Sequence, residues 1–246
     1  LSQPTDFTAP LALVLPCYNP PANWTANIVA SLARFEALLP AESRPVHLYI
    51  INDGSAAVTP ADVEYLRANL PHFTYLSYPE NRGKGYALRT GIRQVTEPLC
   101  LFTDIDFPYE ETSMAMLEAL RTGRCDIAVG ARDEAYYAQV PAGRVFISRT
   151  LRRSTRLLLG LAVSDTQRGL KGFNQQGKAV FLRGTIDRYL FDLEFIFLAS
   201  RPKARLRMLP VPVRLKPGII FSRVSPKILL NESGSFLKIL LARFVR

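Results

Sequence analysis

Five short apolar runs, each separated from the next by a stretch of helical spacing, constrain this chain more than anything else in it. LALVLP (11–16), VHLYII (46–51), FTYLSY (73–78), LCLFT (99–103) and DIAVGA (126–131) are each five or six residues long. Runs this short and this apolar read as strands, LALVLP as a buried one. Between them, Ile28, Leu32, Phe35 and Leu39 predict a helix over 24–39. Thr59 followed by Pro60 opens another, an N-cap residue type before proline at the first helical position. Residues 84–95 and 110–122 have helical spacing too, the latter opened by acids. This alternation predicts an α/β fold with a mostly parallel central sheet, helices on both faces and right-handed crossovers.

The second half is less regular. A basic helix is expected over 144–161, short strands at LKGFN (170–174) and within 205–215, a helix over 191–200 and a final helix over 235–245. There is no internal repeat, low-complexity tract or Pro/Gly-rich linker, and 246 residues suit one large domain.

In open parallel sheets, ligands bind beyond the carboxyl ends of the strands. This sequence loads those ends with polar residues. The first strand runs into PCYNP (16–20), the second into NDGS (52–55), the third is followed by NRGKG (81–85) and the fourth ends in TDID (103–106). Taken singly, PCYNP and NDGS are ordinary turn chemistry and NRGKG is an exposed basic loop. NRGKG fits neither the dinucleotide fingerprint GxGxxG nor the P-loop pattern. TDID is harder to dismiss. Asp104 and Asp106 lie one residue apart, and two close carboxylates repel and are costly when left dry, so a cation between them is expected.

Charge is divided unevenly. Residues 1–123 hold 8 Lys and Arg against 13 Asp and Glu, whereas residues 124–246 hold 23 against 8, giving +10 overall. A basic half points to an anionic partner: a phosphorylated substrate, an acidic membrane surface or a nucleic acid. No nucleic-acid motif is present and the first half is acidic, so no nucleic-acid partner is expected. Cys17, Cys100 and Cys125 have no metal-site spacing and read as buried thiols, and two histidines, His47 and His72, are too few for a His-rich zinc site. No apolar run reaches the roughly 18–20 residues of a membrane span. LSQPTDFTAP lacks the pattern of a signal peptide, and a membrane anchor beyond residue 246 is compatible with the rest.

LVLPCYNP, IINDGS, NRGKGYALRTGI, TDIDFPY and VGARD, in that order, resemble a family 2 glycosyltransferase of GT-A fold. DTQRGLKGF (165–173) and YLFDLEFIFLA (189–199) resemble the dolichyl-phosphate glucosyltransferase and dolichyl-phosphate mannose synthase branch, and the likeness covers about residues 10–230. It implies one GT-A-like domain: a nucleotide-sugar half at about 10–131, an acceptor half at about 132–232 and an amphipathic C-terminal helix at about 233–246. It implies inverting, metal-dependent transfer of a sugar to a polyprenyl phosphate at the cytoplasmic face of a membrane. UDP-glucose is the first expectation for the donor and GDP-mannose the second.

The resemblance also distributes roles. Asp104 and Asp106 would hold Mg²⁺ or Mn²⁺ against the donor diphosphate, a fitting set for a hard cation completed by phosphate oxygens and water. Pro16, Tyr18, Asn19 and Asp53 would lie at the nucleoside, with Asp53 accepting from a base imino N–H, and Arg82 and Lys84 would face the diphosphate. Arg132, Arg144 and Ser148 would grip the acceptor phosphate, because guanidinium forks bind phosphate oxygens in pairs. Arg149, Arg152, Arg153 and Arg156 would meet anionic headgroups. Asp165 would order the site from behind, and Asp192 and Glu194 would orient Arg side chains or the sugar. Relatives often carry Glu where this chain has Pro20 and Cys where it has Arg168.

A phosphate monoester with a second pKa near ~6 is largely dianionic at neutral pH and needs no general base. A hydroxyl acceptor would need one, and Asp192 is the candidate for that alternative. A second alternative is a nucleotide-sugar-binding module without turnover. In the C-terminal segment, Phe236, Leu237, Leu240, Leu241 and Phe244 share a helical face with Lys238, Arg243 and Arg246 between them, as in a helix lying on acidic lipid.

Overall fold

Alternation within the strands decides how the chain packs. The structure, a computed structural model, describes residues 10–106, 110–131, 169–212 and 226–242. In order they form β1 (Leu11–Cys17), α1 (Trp24–Leu38), β2 (His47–Asp53), α2 (Pro60–Asn69), β3 (Phe73–Tyr78), α3 (Lys84–Gln94), β4 (Leu99–Phe102), α4 (Glu110–Arg121), β5 (Ile127–Ala131), β6 (Lys171–Asn174), α5 (Gln175–Phe181), α6 (Phe191–Ala199), β7 (Met208–Pro212) and α7 (Pro226–Ala242). Leu11, Leu13 and Leu15 of β1 and Leu48 and Ile50 of β2 face one core, with Ile28, Leu32 and Phe35 of α1, Leu66 of α2 and Leu117 of α4. Ala12, Val14, Tyr49 and Ile51 point the other way, onto Leu88 and Ile92 of α3, Phe181 of α5, Phe195 of α6 and Ile239 of α7. Helices therefore cover both faces, as expected.

The sheet has seven strands in the order β3-β2-β1-β4-β6-β5-β7. β1 pairs in parallel with β2 and β4, β2 with β3, and β5 with β7. β6 runs antiparallel to both neighbours, β4 and β5. β4 and β5 consequently point the same way, and the carboxyl ends of β1 to β5 lie along one rim.

Local chemistry agrees with the expected boundaries. Thr59 caps α2 in a reciprocal box: Asp62 N donates to Thr59 Oγ1 at 3.2 Å and Thr59 N donates to Asp62 Oδ2 at 2.8 Å. Asn174 ends β6 and caps α5, accepting from the N–H groups of Gln176 and Gly177. The sequence reading did not anticipate α5. It placed the last helix at 235–245, whereas α7 already begins at Pro226, and the strand expected within 205–215 spans Met208–Pro212. The helix expected over 144–161 lies outside the described residues. All three cysteines are free and buried. Burial pushes the Cys17 thiol up to about 12 and that of Cys125 up to about 11, so neither is a reactive thiolate. Among the described residues no helix is long and apolar enough to cross a membrane.

Candidate functional site: the carboxyl rim of the sheet

Parallel register sets the rim. Pro16 pairs with Ile51, Cys17 with Asn52 and Asp53 with Tyr78. Beyond β1 the chain turns at Asn19, which has a left-handed backbone (φ 47°). Ser55 locks this turn to the next one: Asn19 N donates to Ser55 Oγ at 3.0 Å and Ser55 Oγ donates to Asn19 Oδ1 at 3.2 Å. Asn52 holds Ser55 from below, accepting from Ser55 N at 2.8 Å. Tyr18 stands free of the core, 51% exposed, between these turns and solvent.

Asp53 is held by donors on both carboxylate oxygens. Its carboxylate accepts from Tyr78 OH at 2.8 Å, Asn81 Nδ2 at 2.9 Å, Arg82 N at 2.8 Å and Gly83 N at 2.9 Å. Four donors match the capacity of one carboxylate. What Asp53 does in this structure is hold the NRGKG loop against the end of β2. Beyond that loop, Arg82 donates to Tyr86 OH at 2.6 Å and lies over the Tyr86 ring, 3.7 Å from its centroid.

A strap from the later part of the chain closes over the same loop. Asp187 C=O accepts from Gly85 N at 2.7 Å and Tyr86 N at 3.1 Å, occupying the second and third N–H groups of α3. Arg89, buried, donates to Ile186 C=O at 2.8 Å and pairs with the Asp187 carboxylate. Glu194 of α6 fixes the strap from inside, accepting from Thr185 N, Thr185 Oγ1 and Ile186 N, each at 2.8 Å. Gly83 sits where strap and loop touch. Its φ is +105°, and a Cβ there would lie 2.6 Å from Asp187 O, so both backbone and space demand glycine.

Asp104 and Asp106 leave β4 beside Pro16, since Phe102 pairs with Val14. Asp106 is exposed. Asp104 is half open and pairs with Lys84, the first residue of α3. Gly169 packs against the other side of Asp104, where a Cβ would come within 2.3 Å of Oδ2. Behind them, Lys171 projects from β6 into the core with no exposure and pairs with Asp192 Oδ1 at 2.6 Å. Phe102, Phe173, Phe181, Phe191 and Phe195 pack around this pair with ring centroids 5.0–6.4 Å apart, and the Lys171 ammonium lies 5.6 Å from the Phe102 centroid. Burial pushes the Asp192 carboxyl up, and the Lys171 ammonium, with Lys84 beyond it, pulls down without cancelling that.

The structure thus brings Pro16, Tyr18, Asn19, Asp53, Arg82, Lys84, Asp104, Asp106 and Asp192 to one rim or its floor. Arg132, Arg144, Ser148 and Asp165, with Arg149, Arg152, Arg153, Arg156 and Arg168, lie outside the described residues. Sequence reasoning missed Lys171, whose signal is a lysine inside an apolar strand (LKGF), and the Arg89–Asp187 pair. Among the described residues no cluster of three or more His, Cys, Asp or Glu side chains could hold a metal alone. Two carboxylates at an open mouth suit a hard divalent cation that arrives with phosphate oxygens and keeps waters, as Mg²⁺ does.

The sequence model of the family described as Glycosyl transferase family 2 matches residues 12–180. Similar curated proteins include the dolichyl-phosphate beta-glucosyltransferases of Drosophila melanogaster (29% identical, covering 83% of this chain and 66% of that protein) and Trichomonas vaginalis (27%, 82% and 64%). That of Saccharomyces cerevisiae is 25% identical, over 82% and 66%. The chain thus spans just under two thirds of the length of these relatives. Among solved structures it resembles glucosyl-3-phosphoglycerate synthase of Mycobacterium tuberculosis. The complex with Mn²⁺, UDP and glucosyl-3-phosphoglycerate gives a TM-score of 0.63 at 19% identity, and the complex with UDP gives 0.65 at 17%; each covers 96% of this chain and 80% of the other. At such identities the likeness speaks to the fold.

Proposed function

The chain belongs to glycosyl transferase family 2, and from that premise we propose that it transfers a sugar from a nucleoside-diphosphate sugar to a polyprenyl phosphate. Glucose from UDP-glucose is the first assignment, supported by three relatives named dolichyl-phosphate beta-glucosyltransferase; mannose from GDP-mannose is the second. The observation that carries the proposal is the convergence at one rim of the open Asp104 and Asp106, the cationic NRGKG loop and the exposed Tyr18.

Pro16, Tyr18 and Asn19 form the nucleoside side of the donor site. Asp53 serves it through the loop: by holding Arg82 N and Gly83 N it fixes where Arg82 and Lys84 start. These two side chains meet the diphosphate, since Asp187 C=O already takes two N–H groups of the first turn of α3. Asp104 and Asp106 would hold Mg²⁺ or Mn²⁺, an assignment supported by neighbours of the same fold crystallised with Mn²⁺ and UDP. Bound there, the ion supplies charge to the departing nucleoside diphosphate. An acceptor phosphate oxygen attacks the anomeric carbon in line, and the carbon–diphosphate bond breaks with its electron pair leaving on the diphosphate. The configuration inverts. Arg132, Arg144 and Ser148 are proposed to orient the acceptor phosphate, and Asp165 to order the site. The approach to lipid is assigned to the basic second half and to the open face of α7, where Leu237 and Leu241 are exposed.

Buried pairing of Asp192 with Lys171 favours a phosphate acceptor over a hydroxyl acceptor, since a carboxylate already committed to a buried ammonium is poorly placed to take a proton from substrate. Transfer of label from UDP-glucose and GDP-mannose to polyprenyl phosphate in detergent tests the proposal, with Mg²⁺, Mn²⁺ or chelator and with Asp106→Asn. Label in the lipid phase that needs both metal and Asp106 is expected, with at least a hundredfold loss in the variant. Donor hydrolysis without lipid product would overturn the acceptor assignment. Donor binding without turnover of either donor would favour a binding module.

A further inference from the structure

Lys84 stands where two parts of the site compete for it. Its ammonium rests on Asp104 Oδ1, and both side chains are partly open to water, at 31% and 46% exposure. Oδ2 of the same carboxylate is walled by Gly169. A divalent ion approaching Asp104 therefore meets a carboxylate with a cation on one oxygen and backbone against the other. Two cations on one carboxylate repel, and adding the metal requires the ammonium to retreat.

Lysine suits such a retreat. Its charge sits on a flexible four-carbon stem, so Nζ can move while the backbone stays. The backbone of Lys84 is indeed fixed: Asp53 holds Gly83 N, and Asp187 C=O holds Gly85 N and Tyr86 N. With two N–H groups of the first turn of α3 already taken by Asp187 C=O, side chains are the better positive partners for an arriving diphosphate, and Lys84 already lies at Asp104.

We propose that Lys84 and the divalent cation are alternative counter-cations of Asp104, and that the nucleoside diphosphate resolves the competition by drawing Lys84 onto its phosphate oxygens. Metal then binds weakly alone and tightly with the diphosphate, and by linkage the diphosphate gains equally from the metal. Lys84 is a positioning residue that makes the two ligands arrive as a pair. The proposal rests on Asp104 and Asp106 being the metal ligands.

The test measures Mn²⁺ binding without turnover, by the electron paramagnetic resonance signal of free Mn²⁺, with and without UDP, in the wild type, Lys84→Met, Lys84→Gln and Asp106→Asn. Without UDP, both Lys84 variants are expected to bind Mn²⁺ about tenfold more tightly than the wild type, and the tightening by UDP, of order a hundredfold in the wild type, is expected to shrink about tenfold in them. Unchanged or weaker Mn²⁺ binding by folded Lys84 variants, with Asp106→Asn abolishing it, would overturn the exchange and leave the metal assignment standing. Mn²⁺ binding that ignores Asp106→Asn, or its absence throughout even with UDP, would overturn both. Thermal melts confirm folding; Lys84 is part-exposed at a helix start, so neither variant leaves a buried gap.

Discussion

At the amino end of the sheet Glu97, part-buried, and Asp126, buried, sit inside sets of donors; at the carboxyl end Asp106 is exposed and Asp104 half open. Glu97 Oε1 lies 2.6 Å from His47 Nδ1, while Oε2 accepts from Thr96 N at 3.0 Å and Tyr49 OH at 3.1 Å. Asp126 accepts from Arg207 N at 2.8 Å, Arg207 Nη2 at 3.2 Å and Asn174 Nδ2 at 3.0 Å, tying β5 to β6 and to the strand that opens at Met208. Both carboxyls are held below their ordinary values: burial pushes each up, and the combined donors outweigh it. The same carboxylate group thus staples strand starts at one end and stays open to solvent at the other. Exposure, more than charge, separates these stapling acids from the pair proposed to hold a metal.

Asp53 tests that division hardest, because it lies at the functional end but is built like the amino-end acids. Asp53→Asn puts an N–H₂ where Arg82 N or Gly83 N now donates, so it is expected to cost about 2–3 kcal/mol in urea unfolding. It is also expected to weaken UDP binding at least tenfold through the released loop, as calorimetry would read. Loss of UDP affinity with unchanged stability would instead make Asp53 a direct ligand of the nucleoside. Next comes Asp126→Ala. Lost bonds to Arg207 and Asn174 are expected to cost about 2 kcal/mol, while UDP affinity of the folded protein is unchanged; a parallel fall in UDP affinity would erase the contrast between the two ends.

The smallest effect is a pH dependence. Asp126 has a lower pKa folded than unfolded, so near and below pH ~4 the unfolded chain binds more protons. Its contribution is present above the unfolded value and is lost as pH falls through the folded one. Urea titrations from pH 6 to pH 3 should show the gap between wild type and Asp126→Ala narrowing. A constant gap would mean that the clamp does not depend on ionisation.

Much of the frame was legible because the strands at the centre of the sheet write themselves as apolar runs, as LALVLP does over β1. The edge strand β3 was legible too, FTYLSY residue for residue, and the helix expected over 84–95 is Lys84–Gln94. α5 was not legible: seven residues starting QQGK are too short and too polar to show a period. The antiparallel direction of β6 was hidden for a similar reason, since four residues say nothing about which way a strand runs. The rim was legible because polar residues stop each apolar run at the same end. Its wiring was not. The partners of Asp53 come from 25 to 30 residues further along the chain, and the strap that caps α3 from about a hundred. Lys171 was not legible because a lysine in a strand ordinarily marks a solvent face, and only the fold places Asp192 beside it.

The strap also bears on modularity. Residues 10–131 look like a self-contained nucleotide-binding unit that could be cut out or grafted. Yet the helix that carries Lys84 takes its cap from Asp187, and the strap is tied in turn to α7, where Glu232 accepts from Leu190 N at 3.1 Å. A fragment ending near 131 would keep every side chain proposed for the donor and lose the peptide group that fixes the start of α3. Domain exchange within this fold would therefore have to carry the strap with the loop, although more than ninety residues separate them in sequence.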